Sequence, residues 1–444
     1  MQKKYVLIIF IFFIIFSLTN TAAAAELKLE EAVEILAEEN RELKNARKDI
    51  ESAEGDIDLA RRSYFPTIEL QSSYRKVDEQ SDTDETEIPS EFEFISEFTE
   101  TPEENYSTSL SISQPLWLGG KAGIQKELAA YRTEMARADY ENILEEQIFK
   151  LIQSYYGVLQ AEKMVEIEEE ALTALDEHLR VVRKNLDAGT TTRQDLLQSK
   201  IEQRRGEKKL TEAKNDLKIA KKRLSQLLVS SEQYSVEKPE PKLDYELKHS
   251  QLYELALENN SELLVLELNR KITELNKKLE GEYYRPSVNL NASYDWEGEE
   301  FPGDESWSTT ASVSIPIYDG GTGKINAEQI DKELEKLDNS RKDILENIDI
   351  EIEEVLLAVE ENEESIELEK LSLKNAEENL ELANKSYEAG AAANKEVIDA
   401  QTTYNQAKTA LMQAEYNYEI ELFRTLYKSG QIREYFEDVI EDVK

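Results

Sequence analysis

Gln114-Pro115-Leu116-Trp117-Leu118-Gly119-Gly120 is answered further along the chain by Ile315-Pro316-Ile317-Tyr318-Asp319-Gly320-Gly321. From Pro115 to Pro316 the offset is 201 residues, and Leu186-Asp187-Ala188-Gly189 recurs at that same offset as Tyr387-Glu388-Ala389-Gly390. Between these anchors Leu172, Leu175, Leu179, Val182 and Leu186 fall on Leu373, Ala376, Leu380, Ala383 and Tyr387 without an insertion. Joint, apolar seam and glycine agree over one unbroken stretch, which makes the chain a tandem duplication. The earlier halves correspond at another offset: Phe65-Pro66 to Arg285-Pro286 is 220 residues, so the first copy carries a loop 19 residues longer between Pro66 and Pro115.

The seam residues step alternately by three and four, the spacing of coiled-coil packing. After each glycine the pattern resumes, through Leu210, Ala213, Leu217 and Leu224 in the first copy and Val397, Ala400, Tyr404 and Leu411 in the second. No proline falls between Pro115 and Pro239 or after Pro316, so nothing in either stretch forces a break. Gly189 and Gly390 stand where a helix would end on a left-handed residue. Thr192 with Asp195 reads as the capping box of the next helix, and Asn394 as the corresponding cap in the second copy. Each copy is therefore expected to hold a helical hairpin that turns at its glycine. Gly120 to Ala188 would form one helix roughly 100 Å long at about 1.5 Å per residue. Single helices over Leu29–Tyr64 and Arg193–Leu228 would each cover roughly half that length, and Ser250–Tyr284, Gly321–Ala389 and Asn394–Gly430 repeat the sum. Such lengths suit a tall helical wall better than a globular core.

Four short segments flank the outer loops. Val288, Leu290, Ala292, Tyr294 and Trp296 alternate with Ser287, Asn289, Asn291, Ser293 and Asp295. Over Trp307–Ile315 an apolar face alternates with Ser308, Thr310, Ser312 and Ser314. The first copy sets Ile68, Leu70 and Tyr74 opposite Thr67, Glu69, Gln71 and Ser73, and Tyr106, Thr108, Leu110 and Ile112 opposite Ser107, Ser109, Ser111 and Ser113. Period-two alternation over roughly ten residues, with aromatics near the ends, is the pattern of strands in an outer-membrane wall. Four strands cannot close a barrel, and an open edge in lipid strands backbone groups without partners, so such a chain must oligomerise to span.

Lys3, Lys4, the apolar run Val6–Phe16 and Ala22–Ala25 read as an export signal over residues 1–25. The chain has no cysteine, which excludes disulfides, thiolate metal sites and cysteine nucleophiles. Its two histidines, His178 and His249, read as solvated helix positions. A net charge of −41 argues against nucleic acid as a partner. The segment Val77–Glu104 holds twelve acidic residues and no basic one, and it reads as a solvated outer loop. Gly321-Thr322-Gly323-Lys324 resembles the end of a phosphate loop, but Ile325 follows the lysine and Tyr318 stands where the first glycine is needed, so Gly119-Gly120 and Gly320-Gly321 read instead as flexible joints between strand and helix. Carboxylates are too abundant for any pair to signal catalysis. Neither an enzyme nor a cofactor or metal site is expected.

The joints (Pro115, Trp117, Gly119, Gly120; Pro316, Tyr318, Gly320, Gly321), the Ala-Gly hairpin turns at Gly189 and Gly390, and the run Val397-Ile398-Asp399-Ala400-Gln401 resemble the TolC family of outer-membrane efflux proteins. The resemblance runs from about Leu27 to Gly430. It implies a mainly α fold with a small β part, in which long coiled-coil hairpins form an α-barrel tunnel. Four strands per chain would contribute to a twelve-stranded β-barrel in a homotrimer. It further implies a passive duct in the outer membrane, surrounded there by lipid and extending into the periplasm. Such a duct works with a periplasmic adaptor and an inner-membrane transporter, in efflux or type I secretion.

On that resemblance the domains run as an export signal over 1–25, a first repeat over 26–230 with its acidic loop at 75–105, and a linker over 231–249. A second repeat then covers 250–430 and a tail 431–444, the linker and tail being the mid-height equatorial parts. The hairpin tips become the periplasmic entrance. Asp195 and Tyr387 match residues of the entrance constriction, and Glu396 and Asp399 match acidic positions that in threefold copies form cation-attracting rings. Ala392 stands where better-known members place an arginine that pairs with the aspartate. The helix dipole alone would also favour acidic residues at Glu396 and Asp399. Two other readings of the long hairpins compete: a periplasmic adaptor, which should carry one hairpin between soluble β-domains, and a coiled-coil envelope spacer without a pore.

Overall fold

The computed structural model describes residues 26–76, 104–231, 234–239, 248–281 and 284–441. The signal over 1–25, the acidic loop at 75–105 apart from its flanks, much of the 231–249 linker and the end of the 431–444 tail lie outside the described residues. In chain order, β1 (Glu26–Leu27), α1 (Leu29–Glu39) and α2 (Arg41–Arg62) lead to β2 (Thr67–Lys76) and β3 (Glu104–Trp117). The long α3 (Lys121–Asp187) and α4 (Arg193–Leu227) follow. After β4 (Ser235–Val236) the order recurs as α5 (His249–Asn259), α6 (Ser261–Gly281), β5 (Ser287–Gly298), β6 (Asp304–Ser314), α7 (Thr322–Glu388) and α8 (Asn394–Lys428). Short helices α9 (Ile432–Tyr435) and α10 (Glu437–Glu441) close the chain. The long helices α3 and α7 both have 67 residues, and α4 and α8 both have 35.

The expected single helices over Leu29–Tyr64 and Ser250–Tyr284 are each broken in two. Asn40 takes an extended backbone, with ψ at 132°, and its Oδ1 accepts the N–H groups of Glu42 at 2.9 Å and Leu43 at 3.2 Å. Asn260 repeats the device, accepting the N–H of Leu263 at 2.8 Å. An asparagine side chain competes with the backbone for amide protons, so it starts a helix better than it continues one. That local preference outweighs an unbroken apolar periodicity. Gly430 lies against the second break with φ at +71°, where an added Cβ would meet the Asn259 Cβ at 2.6 Å.

The chain forms two compact units. Among the described residues, the first comprises those up to Lys48, those within Arg137–Val265 and those from Ser340 onward, and the second those within Asp49–Ala136 and Leu266–Asn339. In the first unit α1 buries Leu29, Ala32, Val33, Leu36 and Ala37, the i, i+3, i+4, i+7, i+8 stripe of a helix packed on one side. Against it pack Ile148, Ile152, Tyr155 and Tyr156 of α3, Leu224 of α4 and Phe423 of α8. Full burial of such side chains contributes roughly 1.5–3 kcal/mol each. The Tyr155 hydroxyl lies 2.6 Å from the carbonyl oxygens of both Leu27 and Glu237, at the C-terminal end of the parallel β1–β4 pair. This ties the chain's start to its middle.

The second unit holds an antiparallel sheet in the order β2-β3-β5-β6. Three strands differ from expectation at their ends. The β5–β6 pairing extends outward to Glu297 opposite Asp304, and β3 runs on through Pro115 to Trp117 with a register shift. Pro115 has no N–H to give the ladder, which accounts for the bulge there. On one face Ser109 donates to Asp295 at 2.5 Å, Ser293 to the same carboxylate at 2.7 Å, and Asn289 to Ser113 at 3.1 Å. The other face leaves Ile68, Leu70, Val313 and Trp307 more than 60% exposed. A sheet with a hydroxyl-rich face and a bare apolar face is built for two different surroundings. Among the described residues, no helix is long and apolar enough to cross a membrane.

One buried acid makes the first unit pH-sensitive. Burial lifts the carboxyl of Glu145, on α3, from 4.5 to about 7, only partly offset by the Arg433 guanidinium, which itself pairs with Glu141 at 2.7 Å. The folded protein thus keeps a proton that the unfolded chain has already released. Stability is expected to fall as pH rises from about 4.5 to about 7 and then level, by on the order of 3 kcal/mol at full effect. Glu145→Gln is expected to remove that slope and to exceed the wild type in thermal stability at about pH 8, as followed by the unfolding midpoint of the detergent-solubilised protein.

Candidate functional site

The residues singled out by the repeat fall into three places: strand–helix joints, hairpin turns and the helix starts that follow them. At the joints Gly119 and Gly120 have φ of +64° and +88°, and Gly320 and Gly321 have +72° and +87°. Two consecutive left-handed residues are costly for any side chain with a Cβ. The doubled glycine is therefore required for a fixed turn, not for the mobility that its composition suggests. In the second copy the Asp319 carboxylate accepts the N–H of Gly321 at 2.8 Å and of Gly323 at 2.7 Å, capping the start of α7. The first copy has Leu118 in that place. Pro115 sits at the β3 bulge, and Pro316 follows the end of β6.

At the hairpin turns Gly189 and Gly390 have φ of +77° and +75°. The N–H of Thr190 reaches the Asn185 carbonyl at 2.9 Å, and that of Ala391 reaches Ser386 at 2.8 Å, closing both helices in the six-to-one pattern of a left-handed cap. Thr192 then caps α4 as expected: its Oγ1 accepts the Asp195 N–H at 3.1 Å, and the Asp195 carboxylate accepts the Thr192 N–H at 3.1 Å. The Thr191 hydroxyl donates to the same carboxylate at 3.0 Å. Hydrogen bonding, led by the Thr192 hydroxyl, holds the Asp195 carboxyl below its usual range. Asp195 is fully engaged inside its own turn.

The second copy departs from expectation at Asn394. Ala393, not Asn394, occupies the N-cap of α8, and its N–H is met at 3.2 Å by the Glu396 carboxylate. Asn394 is instead buried, 3% exposed, and bonds across to the first copy. Its Oδ1 lies 2.7 Å from His178 Nε2 and accepts the Ser199 hydroxyl at 3.1 Å. Its Nδ2 points to the Asp195 carbonyl at 3.4 Å. His178 is thus a buried residue on α3, 6% exposed, and not the solvated position its setting among charges suggests. Burial pushes its imidazole below the usual histidine range, against the bond from Asn394, which acts the other way. His249 is the half-exposed one, 3.3 Å from Asp349.

Tyr387 packs with Val182 and Val397 in a small apolar cluster that Ala392 joins at its edge. Its ring centroid is 5.3 Å from that of His178, and its buried hydroxyl has no hydrogen-bond partner among the described residues. The structure therefore brings Tyr387, Ala392 and the Asp195 backbone together around Asn394. It leaves Glu396 and Asp399 outside, exposed on α8, Asp399 bonded to Lys395 at 2.5 Å. Ser199 has no place in the expectations from sequence, and His178 and Asn394 enter them only as a solvated position and a helix cap. Their signal is weak: His178 stands four residues before the buried Val182, beside a seam counted only in apolar residues.

A family model described as outer membrane efflux protein matches the chain twice, over residues 32–229 and 252–428. The outer membrane efflux protein BepC of Brucella suis is 23% identical over 349 residues, covering 75% of this chain and 74% of its own. The cobalt-zinc-cadmium resistance protein CzcC of Cupriavidus metallidurans is 23% identical over 402 residues, 87% of this chain and 86% of its own. The fold is similar to the crystal structure of the Campylobacter jejuni CmeC outer membrane channel, with a TM-score of 0.73 at 16% identity, covering 94% and 90% of the two chains. For the turn itself, Thr192→Ala removes a hydroxyl cap of about 1 kcal/mol. It is expected to raise amide hydrogen exchange over the first turn of α4 while leaving α8 unchanged.

Proposed function

The chain belongs to the outer membrane efflux protein family, and from that membership we propose a homotrimeric, passive duct served by a periplasmic adaptor and an inner-membrane transporter. Its place is the outer membrane, and its function is passage through it in efflux or secretion. The observation that carries the oligomer is the four-stranded sheet with a bare apolar face and, among the described residues, open edges at β2 and β6; the number three comes from the family resemblance. Backbone groups on those edges need partners in lipid, and further copies of the same sheet supply them. Three sheets of four strands make a barrel of about twelve, wide enough for an open lumen.

Within that assembly the domains divide as an export signal over 1–25, repeats over 26–230 and 250–430, and mid-height parts over 231–249 and 431–444. The tips at Gly189 and Gly390 form the periplasmic entrance. Family members are channels, and this chain offers no reason to add an enzymatic step. The adaptor reading lacks support, since each copy carries its own strand pair. CzcC is a metal-resistance protein by name and PrtF of Dickeya chrysanthemi a protease-secretion protein, so substrate class follows the pump that recruits the duct.

Single-channel recording of the purified protein in a planar bilayer tests the duct. Discrete conductance steps are expected; silence, together with recovery in the soluble fraction, would sink it. At the entrance, Glu396 and Asp399 carry the cation preference, although Lys395 offsets part of the Asp399 charge within each copy. Glu396→Gln combined with Asp399→Asn is expected to lower cation selectivity and to weaken block by multivalent cations. Unchanged reversal potentials and unchanged block would take both carboxylates out of the constriction.

A further inference from the structure

The cluster around Asn394 is not used by a duct that is simply open. It joins three helices from both copies: His178 on α3, Ser199 on α4 and Asn394 at the start of α8. Its members are 6%, 2% and 3% exposed, so the bonds are made away from water. Residues 195 and 216 apart in sequence have no local reason to meet. A buried polar side chain is tolerated only when its partners are in place, so these contacts fix the relative position of two hairpin tips more strictly than apolar packing does. Ala392 offers no charge for a salt bridge in this region, and Asp195 spends its carboxylate inside its own turn.

We propose that His178, Ser199 and Asn394 form the interlock that holds the second hairpin tip against the first, and that the interlock holds only while His178 is neutral. It rests on the duct reading for its meaning as a gate. Asn394 Nδ2 turns to the Asp195 carbonyl, so Oδ1 faces Nε2 and the neutral ring carries its proton there, while the Ser199 hydroxyl lies 3.1 Å from Oδ1 and 3.0 Å from the Asp195 carbonyl and bridges the two. A second proton on Nδ1 leaves the Nε2 bond intact but adds a buried charge. Several charged groups on the surrounding elements are engaged elsewhere. On α3, Glu177 pairs with Arg180 and Asp176 accepts from Gln203. On α4, Asp195 is held by Thr191 and Thr192; on α7, Lys385 pairs with Glu381. On α8, Glu396 meets the Ala393 N–H and Lys395 pairs with Asp399. Among the described residues, no carboxylate pairs with the His178 ring. The imidazolium is therefore better hydrated with the tips apart, and acid favours separation. The sign follows from a depressed group: closure is fully supported above the ordinary histidine range and is lost as pH falls through and below it.

The absence of cysteine makes a direct test available. Thr190→Cys and Ala391→Cys place one spin label on each exposed tip, and the full-length protein, mixed with unlabelled copies, reports their separation within one chain. A single short distance is expected for the wild type at about pH 7.5, giving way to a longer, broader distribution at about pH 5.5. Asn394→Ala should show the broad distribution at both values. His178→Gln keeps an N–H for Asn394 but cannot titrate, so it should keep the short distance at both. An unchanged distance in Asn394→Ala, or an acid response in His178→Gln equal to that of the wild type, overturns the interlock. Bilayer recordings of the same proteins separate the two ideas. A duct with this gate shows more open events in acid for the wild type and none of that response in His178→Gln. Silent bilayers with separating labels would remove the duct and leave the interlock standing.

Discussion

An amide N–H or a carbonyl without a partner cannot face hydrocarbon, and the four-stranded sheet of this chain ends in two such rows. Everything larger follows from closing those edges. Closed by copies of itself, as proposed, the sheet would fix the order of assembly, because no single chain would be complete at the membrane. It also explains why residues such as Ile68 and Trp307 stay bare in one copy. Their partner is lipid, while the serine ladder opposite keeps its hydroxyls for one another and for water. The helices inherit that arrangement through the joints, where paired left-handed glycines turn each strand into a helix at a fixed angle.

Fold and membrane strands were legible because they rest on periodicity and on prolines and glycines, whose effects are local and strong. The offset from Pro115 to Pro316 and from Gly189 to Gly390 predicts equal helices, and α3 with α7 and α4 with α8 are equal in the structure. What periodicity hid was the competition between side chain and backbone. Asn40 and Asn260 interrupt helices whose apolar pattern continues past them, and their matching offset was a signal open to the same repeat logic. The joints were legible in place but not in character, since composition suggests mobility where φ demands a set turn.

The entrance was less legible for a related reason. Capping motifs name the residue types that can close a helix, but not which of two neighbours does so. Ala393 takes the cap because Asn394 has stronger partners 195 and 216 residues away. Such contacts depend on how hairpins face each other, which spacing along one helix does not encode. The same holds for Glu145, an acid among many that becomes unusual only because the packing around it shuts it from water.

Equal long helices carry a consequence for how this chain tolerates change in length. One residue inserted into α7 would rotate every later side chain by about 100°, carrying Tyr387 off the His178 ring and Val397 out of its cluster. Seven residues would nearly restore the phase, yet they would displace the tip by roughly 10 Å relative to an unaltered α3. Phase and height can be kept together only by matched changes in both copies. Drift in length is thereby confined to segments that carry neither, and the 19 extra residues of the first copy lie between Pro66 and Pro115, outside both α2 and α3.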